Sequence, residues 1–240
     1  MSVITISREF GSGGDEVATR ICEILGYRSF SKVEITKAAE ETAMPKHLAI
    51  DYSEDNHEVQ TFLDRLFGRT ASPAQKIAWT EDPSIATRPE RSDVDDAAVL
   101  SLVKRAIKSA VRVDNMVIVG RGGQVLLKDT PGVLHIRIIA PIEDRIQRVK
   151  TQLKSQSNEY QADIETRRMA QDMIVNRDLA SADYIKKFYD VDWADPLLYH
   201  AVINMGKYNV EQVAQIIAVM AQNLSTNETA SAKMSSSESQ

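Results

Sequence analysis

The sequence predicts an α/β fold, a parallel sheet with helices packed on both of its faces. Two observations carry this reading. At the N-terminus a β-branched run, Val3-Ile4-Thr5-Ile6, passes through the glycine turn Gly11-Ser12-Gly13-Gly14 into a segment of helical periodicity. Further along, strand-like apolar runs alternate with helical ones, the order expected of parallel strands joined by crossover helices.

Val3, Ile4 and Ile6 suit a strand whose two faces both meet apolar partners, so the pattern need not alternate. After the glycines, Val17, Ile21 and Ile24 or Leu25 recur at helical spacing, and Gly26 stands where the helix is expected to stop. Cys22 falls among the core positions of this helix and reads as a small buried residue rather than a nucleophile. Residues 27–30 suit a short second strand, followed by a helix through Val33, Ile35, Ala38 and Ala39. Residues 43–92 are polar, punctuated by Pro45, Pro73, Pro83 and Pro89, and read as an excursion from the sheet, partly helical over 59–67. A helix over 93–113 follows, with Ser92 as N-cap, Asp93, Asp95 and Asp96 in its first turn and basic residues toward its end.

Residues 116–119 form the next strand, ending in Gly120-Arg121-Gly122-Gly123, with a short helix beginning over 125–127. A strand over 133–140 leads to Pro141, which opens a helix at a position where proline is tolerated. Residues 158–188 read as mostly helical and highly charged; 190–196 break the helix, 201–205 form the last strand, and 210–224 a closing amphipathic helix. Residues 225–240, rich in Ser, Thr, Asn and Glu, read as a disordered tail. The expectation is one domain over 1–224, carrying the excursion at about 43–92 and a charged helical region at about 155–196.

Composition narrows the function. A net charge of -5 and a pI near 5.5 argue against a general nucleic-acid binder. A hydrophobic share of 43% can fill the core of one domain of 240 residues, and the single cysteine excludes an internal disulfide. No signal-like segment opens the chain and no apolar run approaches the ~20 residues needed to cross a bilayer, so a soluble, cytoplasmic protein is expected. His47, His57, His135 and His200 show no metal-ligand spacing, and no Ser/His/Asp arrangement is present.

The chemistry gathers at the first loop. Glycines between a first strand and a first helix allow close backbone approach, so successive amides can turn toward an anion at the positive end of the helix dipole. Against the phosphate-loop pattern G-x-x-x-x-G-K-[ST], Arg8 stands for the first glycine, Gly14 replaces the lysine and Asp15 the hydroxyl residue. The backbone cradle of Gly11, Ser12, Gly13 and Gly14 survives these exchanges. The Asp15 charge suits the helix dipole but opposes a phosphate, unless magnesium lies between them.

Five stretches in order resemble the cytidylate kinase-like family, a branch of the P-loop nucleoside monophosphate kinases. They are Ile4-Thr5-Ile6-Ser7-Arg8-Glu9-Phe10-Gly11-Ser12-Gly13-Gly14, then Val117-Ile118-Val119-Gly120-Arg121-Gly122, then Val133-Leu134-His135-Ile136-Arg137-Ile138 with Glu143-Asp144-Arg145. The fourth joins Tyr184 to Phe188-Tyr189-Asp190-Val191-Asp192-Trp193-Ala194-Asp195-Pro196, and the fifth is Tyr199-His200-Ala201-Val202-Ile203-Asn204. The resemblance covers the chain from residue 3 to about 220. It implies a P-loop kinase-type three-layer fold with a parallel sheet, a helical excursion that grips the nucleoside monophosphate, and a lid formed by the charged helical stretch.

The resemblance further implies ATP and Mg2+ as cofactors and a nucleotide substrate, CMP or dCMP by family, with no nucleic-acid or membrane partner. A monomer and a homo-oligomer are both left open. Arg8, Gly11, Ser12, Gly13, Gly14 and Asp15 would hold the donor. Gly120 and Arg121 match the pair that faces the acceptor phosphate, where a guanidinium can hold two oxygens at once. Ser31 stands where the family usually has an aspartate near the acceptor. Ser181 stands in place of an arginine in a D-x-x-R pattern at Asp178, with Arg177 the nearest substitute to approach the transferring group. The pairs Arg167-Arg168 and Lys186-Lys187 read as solvated helix faces, Tyr189 and Trp193 as packing anchors, and Asp192 and Asp195 as turn caps. Absence of the loop lysine, the acceptor-site aspartate and the lid arginine together motivates the alternative, a catalytically weak or inactive kinase-fold protein that binds nucleotide or a partner.

Overall fold

The computed structural model describes residues 2–30, 96–156 and 163–237. Its centre is a five-stranded sheet in the order β2-β3-β1-β4-β5. The strands are β1 (Val3–Arg8), β2 (Arg28–Ser29), β3 (Met116–Val119), β4 (Val133–Ile139) and β5 (Ala201–Asn204), and every pairing is parallel. Around it lie α1 (Gly14–Leu25), α2 (Asp96–Val113), α3 (Gly123–Leu126), α4 (Ile142–Gln156), α5 (Asp163–Tyr189) and α6 (Val210–Ser237). The α/β class and parallel sheet expected from the sequence are therefore those of the structure. Among the described residues no helix is long and apolar enough to cross a membrane.

β1 is central, pairing β3 through Ile4↔Val117 and β4 through Ile6↔Ile136. Period-2 alternation gives the sheet two unlike faces. Ile4, Ile6, Val117, Leu134, Ile136 and Ile138 form an apolar face that packs against Val17 and Ile21 of α1 and Val213, Ala214, Ile217 and Ala221 of α6. The opposite face is apolar only at its base, where Val3, Met116, Ile118 and Val133 meet Val103 and Ile107 of α2. Toward the carboxyl ends of the strands it turns polar: the Thr5 hydroxyl and His135 Nδ1 are 2.7 Å apart, and Ser7 stands opposite Arg137. Both are buried.

Several boundaries differ from the sequence reading. β2 is confined to Arg28–Ser29, and α3 opens at Gly123 rather than 125, because Gly122, in the left-handed region at φ 70°, starts the helix. The long charged helix begins at Asp163 and ends at Tyr189, before the break expected at Asp190. α6 continues to Ser237, beyond the end expected at 224. Residues 225–237 contain neither glycine nor proline, so nothing in the local sequence stops the helix. Ser31, the helix expected through 33–39 and the excursion at 43–92 lie outside the described residues.

Candidate functional site

The loop after β1 folds as its glycines require. Gly11 and Gly13 take φ of 76° and 89°, and Gly13 begins α1 without any side-chain cap, leaving the first amides of the helix to the cleft above. Space is as limiting as conformation. A Cβ on Gly13 would fall 2.0 Å from Arg148 Nη1, and one on Gly11 would fall 2.9 Å from Val149 Cγ2. Ser12 is fully buried, and its hydroxyl has no hydrogen-bond partner among the described residues.

The loop bounds a cleft of about 240 Å³, lined by Glu9, Phe10, Gly11, Gly13, Gly14, Asp15, Glu16, Arg148, Gln152 and Arg177. Arg177 projects from α5 with its guanidinium carbon 4.6 Å from the centre of the Phe10 ring and is buried, a cation–π contact across the cleft. Asp15 does not stand as an isolated charge: Arg8 Nε donates to its Oδ1 at 3.0 Å. The sequence suggested an anion opposing phosphate, and the fold gives that anion a cation of its own.

A second arginine fixes the loop to its surroundings. Arg145, buried on α4, donates from Nε to the Phe10 carbonyl at 2.8 Å and from Nη2 to Asp178, and lies 3.4 Å from Glu9. Asp178 in turn accepts the Phe10 amide at 2.8 Å, and Glu9 accepts the Ala140 amide at 3.2 Å. Both backbone polar groups of Phe10 are thereby held by α4 and α5, the helix that also carries Arg177.

Gly120 and Arg121 stand apart from this cleft, at the end of β3, where the Gly120 amide extends the ladder to Ile6 O at 2.9 Å. Gly120, Arg121 and Gly122 are all left-handed, with φ of 67°, 59° and 70°. A non-glycine residue held there costs of order 1 kcal/mol or more, and such outliers concentrate at functional sites. The Arg121 guanidinium lies 5.3 Å from the centre of the Phe30 ring, and the Tyr189 hydroxyl donates to its carbonyl at 3.4 Å. Lys104 of α2 sits 4.9 Å from the centre of the Tyr189 ring.

The segment between α5 and β5 is fastened over the polar face. Trp193 Nε1 donates to Ser7 Oγ at 2.8 Å, Arg137 Nη1 donates to the Trp193 carbonyl at 2.7 Å, and the Tyr199 hydroxyl reaches the same carbonyl at 2.8 Å. Arg137 also stacks 4.0 Å over Trp193. Tyr189 and Trp193 are anchors as expected; Asp192 accepts from Ala194 N, and Asp195 caps the 3₁₀ turn Pro196–Leu198. Cys22 is half-buried, and burial pushes its thiol pKa up, consistent with a packing role. His135 is pushed down to about 4, chiefly by burial and then by the stacked ring of His200, 4.9 Å away.

The structure therefore brings Gly11, Gly13, Gly14, Asp15 and Arg177 together in one cleft, with Arg8 tied to it through Asp15 and Ser12 beneath it. It places Gly120 and Arg121 at a neighbouring strand end. Ser181 is buried, so a side chain at that position does not face solvent. Sequence reasoning named Arg145 only within a family motif, without a role, and missed Arg148. Their signal was available: two arginines in the first half of a helix oppose the dipole preference and call for another partner.

The parallel order β2-β3-β1-β4-β5, with its glycine loop between the central strand and α1, defines a P-loop kinase-type α/β fold. A profile of the cytidylate kinase-like family matches residues 3–207, and the chain belongs to that family. A cytidylate kinase from Methanosarcina barkeri (strain Fusaro / DSM 804) is 26% identical over 145 residues, 60% of this chain and 76% of that protein. The crystal structure of an uncharacterized protein from Eubacterium ventriosum ATCC 27560 shares the fold, with a TM-score of 0.57 at 19% identity over 92% of this chain and 99% of that one. Family membership and fold together support a kinase-type function directed at nucleotides.

Proposed function

We propose that the protein is a cytoplasmic, ATP-dependent phosphotransferase whose acceptor is a nucleoside monophosphate, CMP or dCMP. The observation that carries this reading is the uncapped start of α1 in a cleft lined by Gly11, Gly13, Gly14 and Arg177, with Gly11 and Gly13 in the left-handed region that disfavours a side chain. Loop amides from Gly11 to Gly14 hold the donor phosphates. The residues fit such a group, because the left-handed backbone at Gly11 and Gly13 and the uncapped start of α1 leave loop amides available to a polyanion, with the unpartnered Ser12 hydroxyl in the same loop. Magnesium, when bound, neutralises phosphate charge, and Asp15 is the loop carboxylate able to face it. A largely apolar depression of about 590 Å³ beside Asn204, Gly206 and Tyr208 suits the donor base.

Arg121 holds the acceptor phosphate at the end of β3, and Gly120 lets the chain turn there. Arg177 approaches the transferring phosphoryl group from α5, which acts as the core of a lid spanning about 155–196. Ser31 and the excursion at 43–92 belong to the acceptor side. Phosphoryl transfer of this kind asks for positioning and charge neutralisation rather than for a nucleophilic side chain.

The test is ADP formation from ATP and magnesium against CMP, dCMP, UMP and AMP, with thermal shifts measured in parallel. Ligand at ~100 times its Kd stabilises by about 2.7 kcal/mol, enough to see. Arg121→Ala should abolish acceptor-dependent ADP formation while leaving the ATP shift intact; normal turnover by this variant would remove Arg121 from the site. The buried Ser181, in the place of an arginine, favours a second reading, a kinase fold that binds nucleotide without turnover. Thermal shifts with ATP but no ADP formation from any acceptor would select it.

A further inference from the structure

We infer that Arg148, a residue of α4, supplies to the donor phosphates the positive charge that the loop itself lacks. The inference rests on the phosphotransferase reading and begins with why the loop has no lysine. At Gly14, where the phosphate-loop pattern puts that lysine, a Cβ would fall 2.5 Å from Arg8 Cβ and 2.9 Å from Arg8 Cγ. Arg8 occupies the position where the pattern has its first glycine. The two departures are one exchange: the stem of Arg8 fills the room that a lysine at 14 would need. Arg8 does not replace the lost cation, because its guanidinium is turned to Asp15.

Arg148 comes to the same loop from the other side. Its Nη1 lies 2.0 Å from where a Cβ of Gly13 would be, so a side chain at that position would push the guanidinium off the cradle. Among the described residues it has neither an ion-pair partner nor a hydrogen bond. Two of the carboxylates around it are already engaged, Glu9 with Arg145 and Asp15 with Arg8. The buried, unpartnered hydroxyl of Ser12 in the same loop is a second polar group without a mate. A half-buried guanidinium over an amide cradle fits the adjacent oxygens of a di- or triphosphate, which it can hold in a bidentate fork.

The experiment uses the full-length protein and measures affinity for ATP, inorganic pyrophosphate and CMP by calorimetry. Arg148→Gln should weaken ATP and pyrophosphate about 10- to 100-fold, the range for one charge-assisted pair, and leave CMP unchanged. Arg148→Lys should recover part of the loss. In the Arg148→Gln background, the reciprocal exchange Arg8→Gly with Gly14→Lys should restore pyrophosphate binding. Unchanged ATP and pyrophosphate affinity in Arg148→Gln overturns the inference and leaves the kinase reading standing. A wild-type protein that binds pyrophosphate, and loses it with Arg148, but ignores ATP, would support this anion site while removing the ATP reading. A wild-type protein that binds neither overturns both.

Discussion

Replacing Arg145 by Met tests whether the loop and the long helix are held together by one buried guanidinium. Met keeps much of the apolar stem that Arg145 packs into its site, so the change is chiefly one of charge and hydrogen bonding. It removes the 2.8 Å bond to the Phe10 carbonyl, worth about 1 kcal/mol, and strands the carboxylates of Asp178 and Glu9. Breaking a fully buried pair costs roughly 3–5 kcal/mol, but both carboxylates are 23% exposed and water recovers part of that. The expected net loss is about 2–3 kcal/mol. At ~2–4 °C per kcal/mol for a chain of this size, the melting temperature should fall by roughly 5–10 °C. Asp178→Asn keeps an oxygen for the Phe10 amide while deleting the charge, and the double mutant should show a coupling of about 1–2 kcal/mol. A fall of less than ~2 °C for Arg145→Met, or strict additivity in the cycle, would refute the reasoning.

Two further outcomes follow from the polar half of the sheet and from the turn after β3. Because His135 titrates near 4 when folded, against about 6.5 when unfolded, the unfolded chain binds more protons between those values and stability rises with pH there. Lowering the pH from 6.5 to 5 should cost roughly 1.5 kcal/mol through this group, and melting curves of His135→Asn should lose that part of the slope. Gly122→Ala places a Cβ 2.4 Å from the Tyr189 ring at a φ of 70°, whereas Gly26→Ala, at 66°, meets nothing within 4 Å. Denaturant unfolding should give about 1 kcal/mol for Gly26→Ala, from backbone strain alone, and about 2–4 kcal/mol for Gly122→Ala; equal values would remove the Tyr189 contact from the account.

What was legible in the sequence was what short-range chemistry writes there. β-branched runs declared β1, β3 and β4, and glycines marked the loop after β1 and the turn after β3. The Trp193 segment announced itself as a motif, and its hydrogen bond to Ser7 explains why. What was not legible depends on residues far apart in the chain. Gly14 reads as a missing lysine, yet Arg8 fills the space beside it, and Asp15 reads as a charge opposed to phosphate, yet the same arginine pairs with it. Arg145 entered only as part of a family motif and Arg148 not at all, since helical periodicity cannot tell water from a carboxylate 33 positions away. Residues 225–240 read as a disordered tail because Ser, Thr, Asn and Glu have little to bury, whereas the helix runs on to Ser237 through a stretch without glycine or proline.

The apolar side of the sheet is completed by the last helix of the chain, and this governs how the protein comes into being on the ribosome. Ile4 and Ile6 are made early, and Val213, Ala214, Ile217 and Ala221, which cover the same face, follow more than two hundred residues later. At ~5–20 residues per second the nascent strand order waits roughly 10–40 s for its cover. During that interval the part of this face that α1 does not cover stays exposed on β1, β3 and β4, and a chain cut short before α6 never hides it. A truncation that removes α6 therefore exposes the apolar face of the sheet and makes the chain prone to aggregate.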